Sequence, residues 1–418
     1  MSAETVDIRE LGAQGDGVAH TETGPVFVPF TLPGETVSIA REKAKATLMA
    51  VKSASPLRVE PPCPHFGPDG EGGACGGCSL QHYDMAAYRD WKADLVRQAL
   101  AEQKIDIPLE PLIAAQPGER RRLVLTGLRT DRSVILGFAA ARSHQIVPIR
   151  VCPIAVPAIS QRLDTIRRVA TAVATGTAAF RVSVLATVSG LDIAITAPMK
   201  LQDRRRLLAI ETILGLSEIA RVTVDGEVLV EPRRPIIQFG KASVTPVPGG
   251  FVQASAIAEG HMAQIVSAHL KPSKRIADLF AGSGTFALRL AESAPVHAVE
   301  NDKLALAALD AAARATQGLR PVTHQKQDLF RSPLMGMDLK PFDGLVFDPP
   351  RAGAEAQSRE LARSSIRRIA AVSCNPTTLA RDLRFLIDGG YKLLSVQPID
   401  QFLWSPHVEA VALLERKG

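Results

Sequence analysis

From about residue 270 onward, short apolar runs alternate with amphipathic stretches. The apolar runs predict strands at Arg275–Phe280, Val296–Glu300, Val322–Gln325, Phe342–Asp348 and Ile369–Cys374, then Tyr391–Val396 and Val408–Leu414. The amphipathic stretches predict helices over Thr285–Ser293, Asp302–Ala315 and Thr377–Ile387. Strand–helix alternation of this kind predicts an α/β fold with a parallel, doubly wound sheet and ligands at the C-terminal strand ends. Residues 1–55 have a different rhythm. Runs such as Val26-Phe27-Val28 and Thr36-Val37-Ser38-Ile39 are cut by turns at Gly15-Asp16-Gly17 and Leu32-Pro33-Gly34, which predicts a small β-barrel. Residues 56–94 carry Cys63, Cys75 and Cys78 among glycines and prolines, a segment that buries little and needs a staple. A helix is expected over Tyr88–Lys104 and another over Val156–Val173. Strand-like runs at Leu123–Leu128, Val134–Phe138, Phe180–Val188 and Leu191–Thr196 make the middle α+β. The chain thus divides into 1–55, 56–250 and 251–418.

Composition narrows the class. With 46% hydrophobic and 22% charged residues, the chain has the balance of a globular protein and not of a disordered one. No apolar run is long enough for a membrane span, and the first residues lack the apolar core of a secretory signal, so a cytoplasmic protein is expected. Lys and Arg outnumber Asp and Glu by 49 to 43, a mild basic excess compatible with nucleic acid. Five cysteines without an export signal point to metal binding or catalysis, and the odd count suggests four plus one.

The segment Asp278-Leu279-Phe280-Ala281-Gly282-Ser283-Gly284-Thr285-Phe286 joins the first strand of the C-terminal region to its first helix. Its two glycines let the backbone approach a ligand, but Ala287 follows where a dinucleotide fingerprint would bring a third glycine. Glu300 closes the next strand, where an acid accepts hydrogen bonds from ribose hydroxyls. Asp278, Glu300, Asp328 and Asp348 together would repel a pyrophosphate and tolerate a cationic, phosphate-free cofactor, which favours S-adenosylmethionine over NAD. In Asp348-Pro349-Pro350-Arg351 an arginine stands where an aromatic ring would stack on a base whose exocyclic amine is methylated. Cys374 ends the fifth strand, and Asn375-Pro376 forces a turn behind it. It is a buried core cysteine or a nucleophile facing the cofactor crevice. A thiolate added at carbon 6 of a pyrimidine makes carbon 5 nucleophilic, and a base must then remove the carbon-5 proton. His407 and Glu409, which share a strand face, are candidates for that base. Cys63, Cys75, Cys78 and Cys152 suit a 4Fe–4S cluster or a zinc ion.

Asp278–Phe286, Asp348–Arg351, Val372-Ser373-Cys374-Asn375-Pro376-Thr377-Thr378-Leu379-Ala380-Arg381-Asp382-Leu383 and His407-Val408-Glu409 through Glu415-Arg416 resemble the RNA 5-methyluridine methyltransferases. Within that class the chain resembles the 23S rRNA uracil-5 enzymes that carry an iron–sulfur cluster. The resemblance implies a Rossmann-like methyltransferase domain at 251–418, with Cys374 as nucleophile and Glu409 as base. It places cofactor contacts at Gln253, Phe280, Glu300, Asp328 and Asp348, and at Thr285, where the family often has Asn. Gly15–Ala19, Val26-Phe27-Val28 and Leu32-Pro33-Gly34-Glu35 are similar to a TRAM domain, an RNA-gripping barrel of OB type. The resemblance also implies a 4Fe–4S cluster on Cys63, Cys75, Cys78 and Cys152 within a central domain at 56–250, although Gly67–Gly73 lengthens the family's spacing between the first two ligands. The expected substrate is a single-stranded or loop uridine, most readily in 23S rRNA, with the target base swung out of its stack. Arg120–Arg122, Arg204–Arg206 and Arg233-Arg234 are candidate phosphate contacts, and Phe66, His82 and Tyr83 candidate stacking residues. No obligate protein partner is expected. The alternatives are a tRNA uridine-5 methyltransferase and an RNA-binding ribosome-assembly protein with an inactive methyltransferase domain.

Overall fold

A computed structural model describes residues 3–141, 143–196 and 203–416, so the outermost residues of the first and last expected regions lie outside it. Strands β1 (Ala3–Asp7), β2 (Glu10–Leu11), β3 (Gly17–Thr21), β4 (Gly24–Val28), β5 (Thr36–Glu42) and β6 (Lys45–Ser53) form one sheet in the order β1-β5-β6-β4-β3-β2. It curls on itself: the Arg9 amide donates to the Val18 carbonyl. Alternate residues point inward, so that Val6, Ile8, Val26, Val28, Val37 and Ile39 fill the interior. Glu35 is fully buried at its base. Burial raises its pKa, but the Arg58 guanidinium, 2.8 Å away, and the Leu32 and Ser55 amides outweigh that and hold its carboxyl below the usual range. This ion pair fastens the barrel to the segment that follows.

That segment leads into helix α1 (Met85–Glu102), capped by the Asp84 carboxylate on the amides of Ala86 and Ala87. A second sheet follows, built from β7 (Arg122–Arg129), β8 (Val134–Ala139), β9 (Ile146–Pro148), β10 (Phe180–Thr187), β11 (Gly190–Thr196), β12 (Ile219–Val224) and β13 (Glu227–Val230). Its order is β13-β12-β11-β10-β7-β8-β9. The helix expected over Val156–Val173 is broken into α2 (Pro157–Ser160) and α3 (Leu163–Val173), because Arg162 leaves helical backbone at φ −124°. Helix α4 (Asp203–Leu214) packs beside α3. A small hairpin, β14 (Ile237–Phe239) and β15 (Ala242–Val244), leads to α5 (Ala256–Leu270).

The third sheet comprises β16 (Ile276–Leu279), β17 (Val296–Glu300), β18 (Val322–Lys326), β19 (Gly344–Phe347), β20 (Arg368–Ser373), β21 (Lys392–Ile399) and β22 (Glu409–Glu415). Between them run α6 (Ala287–Leu290), α7 (Lys303–Ala315), α8 (Gly336–Leu339), α9 (Glu355–Ala362) and α10 (Pro376–Asp388). The order is β18-β17-β16-β19-β20-β22-β21. Its first five members are parallel, as expected. The last two are not. β22 inserts between β20 and β21 and is antiparallel to both. Only a short helix-free loop joins β21 to β22, too little chain for a parallel crossover. The helix expected over Thr285–Ser293 shrinks to α6, since Ser283-Gly284-Thr285 stay in a turn and Gly284 sits at φ +97°.

Two helices cover the end of this sheet that bears on chemistry. α5 lies on β20 and β22, while α10 covers the opposite side and packs against α1. Val96, Ala99 and Leu100 of α1 therefore join the core of the third sheet, although α1 precedes the second sheet in sequence. No helix among the described residues is long and apolar enough to cross a membrane.

Candidate active site

The C-terminal ends of β16, β17, β19 and β20 open on one crevice. After β16 the chain turns through Phe280, at φ 61°, and Gly282, at φ 54°. A Cβ at Gly282 would meet nothing within 4 Å, so this loop faces open space. Glu300 anchors it, accepting from the Gly282 amide at 3.0 Å and from the Asn301 and Asp302 amides at 2.6 and 2.8 Å. Asp328, after β18, accepts from the Phe330 amide at 3.0 Å, and the Phe330 ring lies 5.5 Å from that of Phe280. Thr285 is half-buried at the far end of the same loop. Asp278 is fully buried, and neither of its oxygens finds a partner in good geometry. Burial pushes its carboxyl far up, and the nearby Asp348 and Glu300 add to the rise, with only the Ala287 amide opposing them. An acidic crevice with an orphaned carboxyl and a glycine open to space fits a cationic, phosphate-free cofactor such as S-adenosylmethionine.

Asp348 caps the fourth strand and joins a chain of amides. Gln253 Nε2 donates to Asp348 Oδ2 at 3.0 Å, Gln401 Nε2 donates to Gln253 Oε1 at 2.9 Å, and the same nitrogen donates to Glu409 Oε1 at 2.9 Å. Gln253 is itself fixed through its carbonyl, which accepts from Arg121 Nε at 3.0 Å. Glu409 is buried and Asp348 partly so. Burial pushes Asp348 up to about 7 against the pull of Gln253, and pushes Glu409 up to about 8, with the charge of Asp348 adding to the latter. Among the described residues, Glu409 Oε2 has no hydrogen-bond partner.

Cys374 lies close to Glu409. The pairing of β20 and β22 ends at Ser373↔Ala410, Cys374 follows Ser373 as the chain leaves the sheet, and Glu409 begins β22 next to Ala410. The charge of Glu409 reaches the thiol. Behind Cys374, Asn375 caps α10 by accepting from the Thr377 amide, and Pro376 takes the first helical position. The thiol is half-buried and free. Burial pushes it up to about 11, the charges of Glu409 and Asp348 contribute, and Arg351 pulls the other way. His407 lies in the same region. Burial first, then Arg351, Lys92 and Arg120, lower it to about 4, which leaves it neutral.

A groove leads to this point. Gly12–Asp16, Phe30 and Lys45 of the barrel, Gly76–Ser79, and Arg120, Arg351, Phe402 and His407 line it. The Arg120 guanidinium lies 5.7 Å over the Phe402 ring, and Arg122 5.2 Å over Phe251, which is 70% exposed. Several sequence expectations change here. Phe66, His82 and Tyr83 are buried: the Phe66 ring packs on Phe30 and His82, so none of the three is free to stack on a base. Arg121 is spent inside the protein on Glu259, at 2.6 Å. Arg204–Arg206, on α4, and Arg233-Arg234 do not line the groove.

Cys63, Cys75, Cys78 and Cys152 line one cavity with Gln81, and all four are free. Burial raises each thiol, Cys152 to about 11 and Cys78 further. Among the described residues, no three His, Cys, Asp or Glu side chains are arranged to hold a single metal ion.

The sequence reading missed Gln401, which bridges Gln253 and Glu409, and Lys92, a fully buried ammonium beside them. The only signal for Lys92 was its position on an apolar face of a helix.

Comparison with known proteins agrees with this geometry. Residues 192–417 match the tRNA (uracil-5-)-methyltransferase family, and residues 2–47 match the TRAM domain. An uncharacterised RNA methyltransferase of Rhizobium meliloti is 56% identical over 100% of both chains. The 23S rRNA (uracil(1939)-C(5))-methyltransferase RlmD of Halomonas elongata is 33% identical over 98% of this chain and 88% of its own. Among solved structures, the Pyrococcus abyssi tRNA (uracil-54, C5)-methyltransferase in complex with S-adenosyl-L-homocysteine shares the fold, with a TM-score of 0.75 and 21% identity over 98% of this chain and 99% of its own. The chain is an enzyme of the S-adenosylmethionine-dependent RNA (uracil-5) methyltransferase family, with a TRAM domain at its N-terminal end.

Proposed function

We propose that the protein methylates carbon 5 of a uridine in 23S rRNA through a covalent bond between Cys374 and the base. One observation carries the reading: a free, half-buried thiol and a buried carboxyl, one of whose oxygens has no partner among the described residues, stand close together where the paired strands β20 and β22 end. In this reading the half-buried Cys374 thiol first releases its proton to solvent, and the thiolate Sγ then adds to carbon 6 of the uracil. Electron density moves into the ring and carbon 5 becomes the nucleophile. Bound S-adenosylmethionine supplies the electrophilic methyl. Glu409, in its ionised form, then takes the carbon-5 proton on Oε2, and the ring expels the thiolate. Gln401 orients Glu409, and Gln253 orients Asp348 toward cofactor and base. Arg351 is the cation that favours the thiolate. Phe280, Thr285, Glu300 and Asp328, with Gln253 and Asp348, form the cofactor pocket. The divisions at 55 and 250 belong to this proposal too, as the limits of the RNA-gripping barrel, the cysteine-bearing middle and the methyl-transferring part.

The choice of 23S rRNA rests on the relative of that specificity, which covers nearly the whole chain, whereas the tRNA enzyme is similar in fold alone. Mapping 5-methyluridine in total RNA tests it. Cells lacking the protein are expected to lose the modification at one 23S position and regain it with the wild-type gene. Loss from tRNA instead would overturn the rRNA assignment.

We also infer that Cys63, Cys75, Cys78 and Cys152 hold a 4Fe–4S cluster, which would tie residues 63–78 to the second sheet. Four free thiols lining one cavity supply the all-thiolate ligand set of a 4Fe–4S cluster. Thiols this buried stay protonated until a metal displaces their protons. Anaerobically purified protein is expected to hold about four iron and four sulfide per chain, and zinc in their place would refute the cluster.

A further inference from the structure

Lys92 has 0% of its surface exposed. A buried ammonium is costly unless every proton is placed, and here each is. Lys92 Nζ donates to Asp400 Oδ1 at 2.9 Å, to the Phe402 carbonyl at 3.2 Å and to the His407 carbonyl. Tyr88, one turn earlier on α1, donates its hydroxyl to Asp400 Oδ2 at 2.9 Å and accepts from the Trp404 amide at 2.8 Å. Two side chains of one helix thus grip both ends of the loop between β21 and β22. That loop carries Gln401, Phe402 and His407, and it delivers Glu409.

We propose that Lys92 is a positioning residue for proton removal from carbon 5: by holding the Phe402 and His407 carbonyls it sets Glu409 and Gln401 against Cys374. The proposal rests on the uracil-5 reading above and adds to it a residue far away in sequence. It also has an electrostatic side. The charged and titratable groups around Glu409 are Asp348 after β19, Arg351 beyond it, Cys374 after β20, Lys92 on α1 with its partner Asp400, and His407 on the loop before β22, with neutral Gln401 between. Asp348 opposes ionisation of Glu409, whereas Lys92 and Arg351 favour it. Without Lys92 the base would ionise only at higher pH.

The test compares Lys92→Met with the double variant Lys92→Met/Asp400→Asn, which leaves no unpaired buried charge and is the one expected to fold normally. Both are expected to lose ~10²-fold or more in kcat, the scale of a misplaced general base, with KM for S-adenosylmethionine nearly unchanged. The acidic limb of the pH–rate profile is expected to move to higher pH in Lys92→Met, and less in the double variant, where the charge of Asp400 is gone as well. With uridine RNA and S-adenosylmethionine, the protein–RNA covalent complex should accumulate, because addition precedes the impaired step. Wild-type kcat and pH profile in the double variant would overturn the proposal, leaving Lys92 as a mere partner for Asp400. So would a change confined to KM for RNA. If the wild-type enzyme itself forms no covalent complex with 5-fluorouridine RNA, the uracil-5 reading falls and takes this proposal with it.

Discussion

Cys374→Ala protein is expected to lose uridine methylation by at least ~10⁴-fold, because no other group in the crevice can make carbon 5 of uracil nucleophilic. Other free thiols exist, but Cys63, Cys75, Cys78 and Cys152 line a separate cavity. The remaining groups near the crevice are carboxyls, amides, a neutral imidazole and cations. The loss should be confined to the bond-forming step, since the proposed S-adenosylmethionine pocket does not include Cys374. Affinity for S-adenosylhomocysteine, read by calorimetry, is therefore expected to be that of wild type. The decisive readout uses 5-fluorouridine RNA. Wild type should give a band of retarded mobility on a denaturing gel, since fluorine at carbon 5 cannot leave as a proton does. Cys374→Ala should give none. Persistent methylation by the alanine variant would end the covalent mechanism outright.

Glu409→Gln is expected to lower kcat ~10²- to 10⁴-fold, the usual contribution of a general base. The amide keeps the hydrogen-bonding shape and lacks the proton-accepting oxygen. Addition of Cys374 remains possible, so the methylated adduct should build up with ordinary uridine RNA. The same substitution should stabilise the fold at alkaline pH. The carboxyl is raised to about 8 in the folded protein, chiefly by burial, from 4.5. The folded chain therefore keeps a proton that the unfolded chain has released. Its contribution to stability is full below the unfolded value and is lost as pH rises through the folded one. Glutamine carries no such penalty. Thermal melting is expected to show the variant a few degrees above wild type at pH 8.5 and level with it at pH 4.5. Equal melting at both values would mean that Glu409 is not buried with a raised pKa.

What the sequence discloses and what it hides differ for physical reasons. The run from Arg275 to Cys374 is legible because parallel strands buried on both faces read as continuous apolar stretches. The inserted β22 is not, since neighbours in a sheet are chosen by long-range pairing and Val408–Leu414 looks the same beside any strand. α5 is invisible for a related reason. It is apolar nearly all round, and such a helix has no stripe to betray it. Phe66, His82 and Tyr83 look exposed in a glycine-rich segment, yet so small a segment has few other rings to bury and uses all three. Gln401 and Lys92 acquire their roles only through contacts with distant parts of the chain. Arg351 was legible as an absence, the missing aromatic ring; its positive charge beside the thiol emerges only from the fold.

Cys374 and Glu409 are brought together by ladder hydrogen bonds between the strands they adjoin, in which six consecutive pairs run from Arg368↔Glu415 to Ser373↔Ala410. A strand has only two faces, so one residue inserted into or deleted from β22 would turn Glu409 to the other side and leave Cys374 where it is. On the covalent mechanism proposed above, such a frame error does not yield an inert protein. It yields a snare that captures a pyrimidine and never lets go, and a cell accumulating it would lose RNA to permanent cross-links.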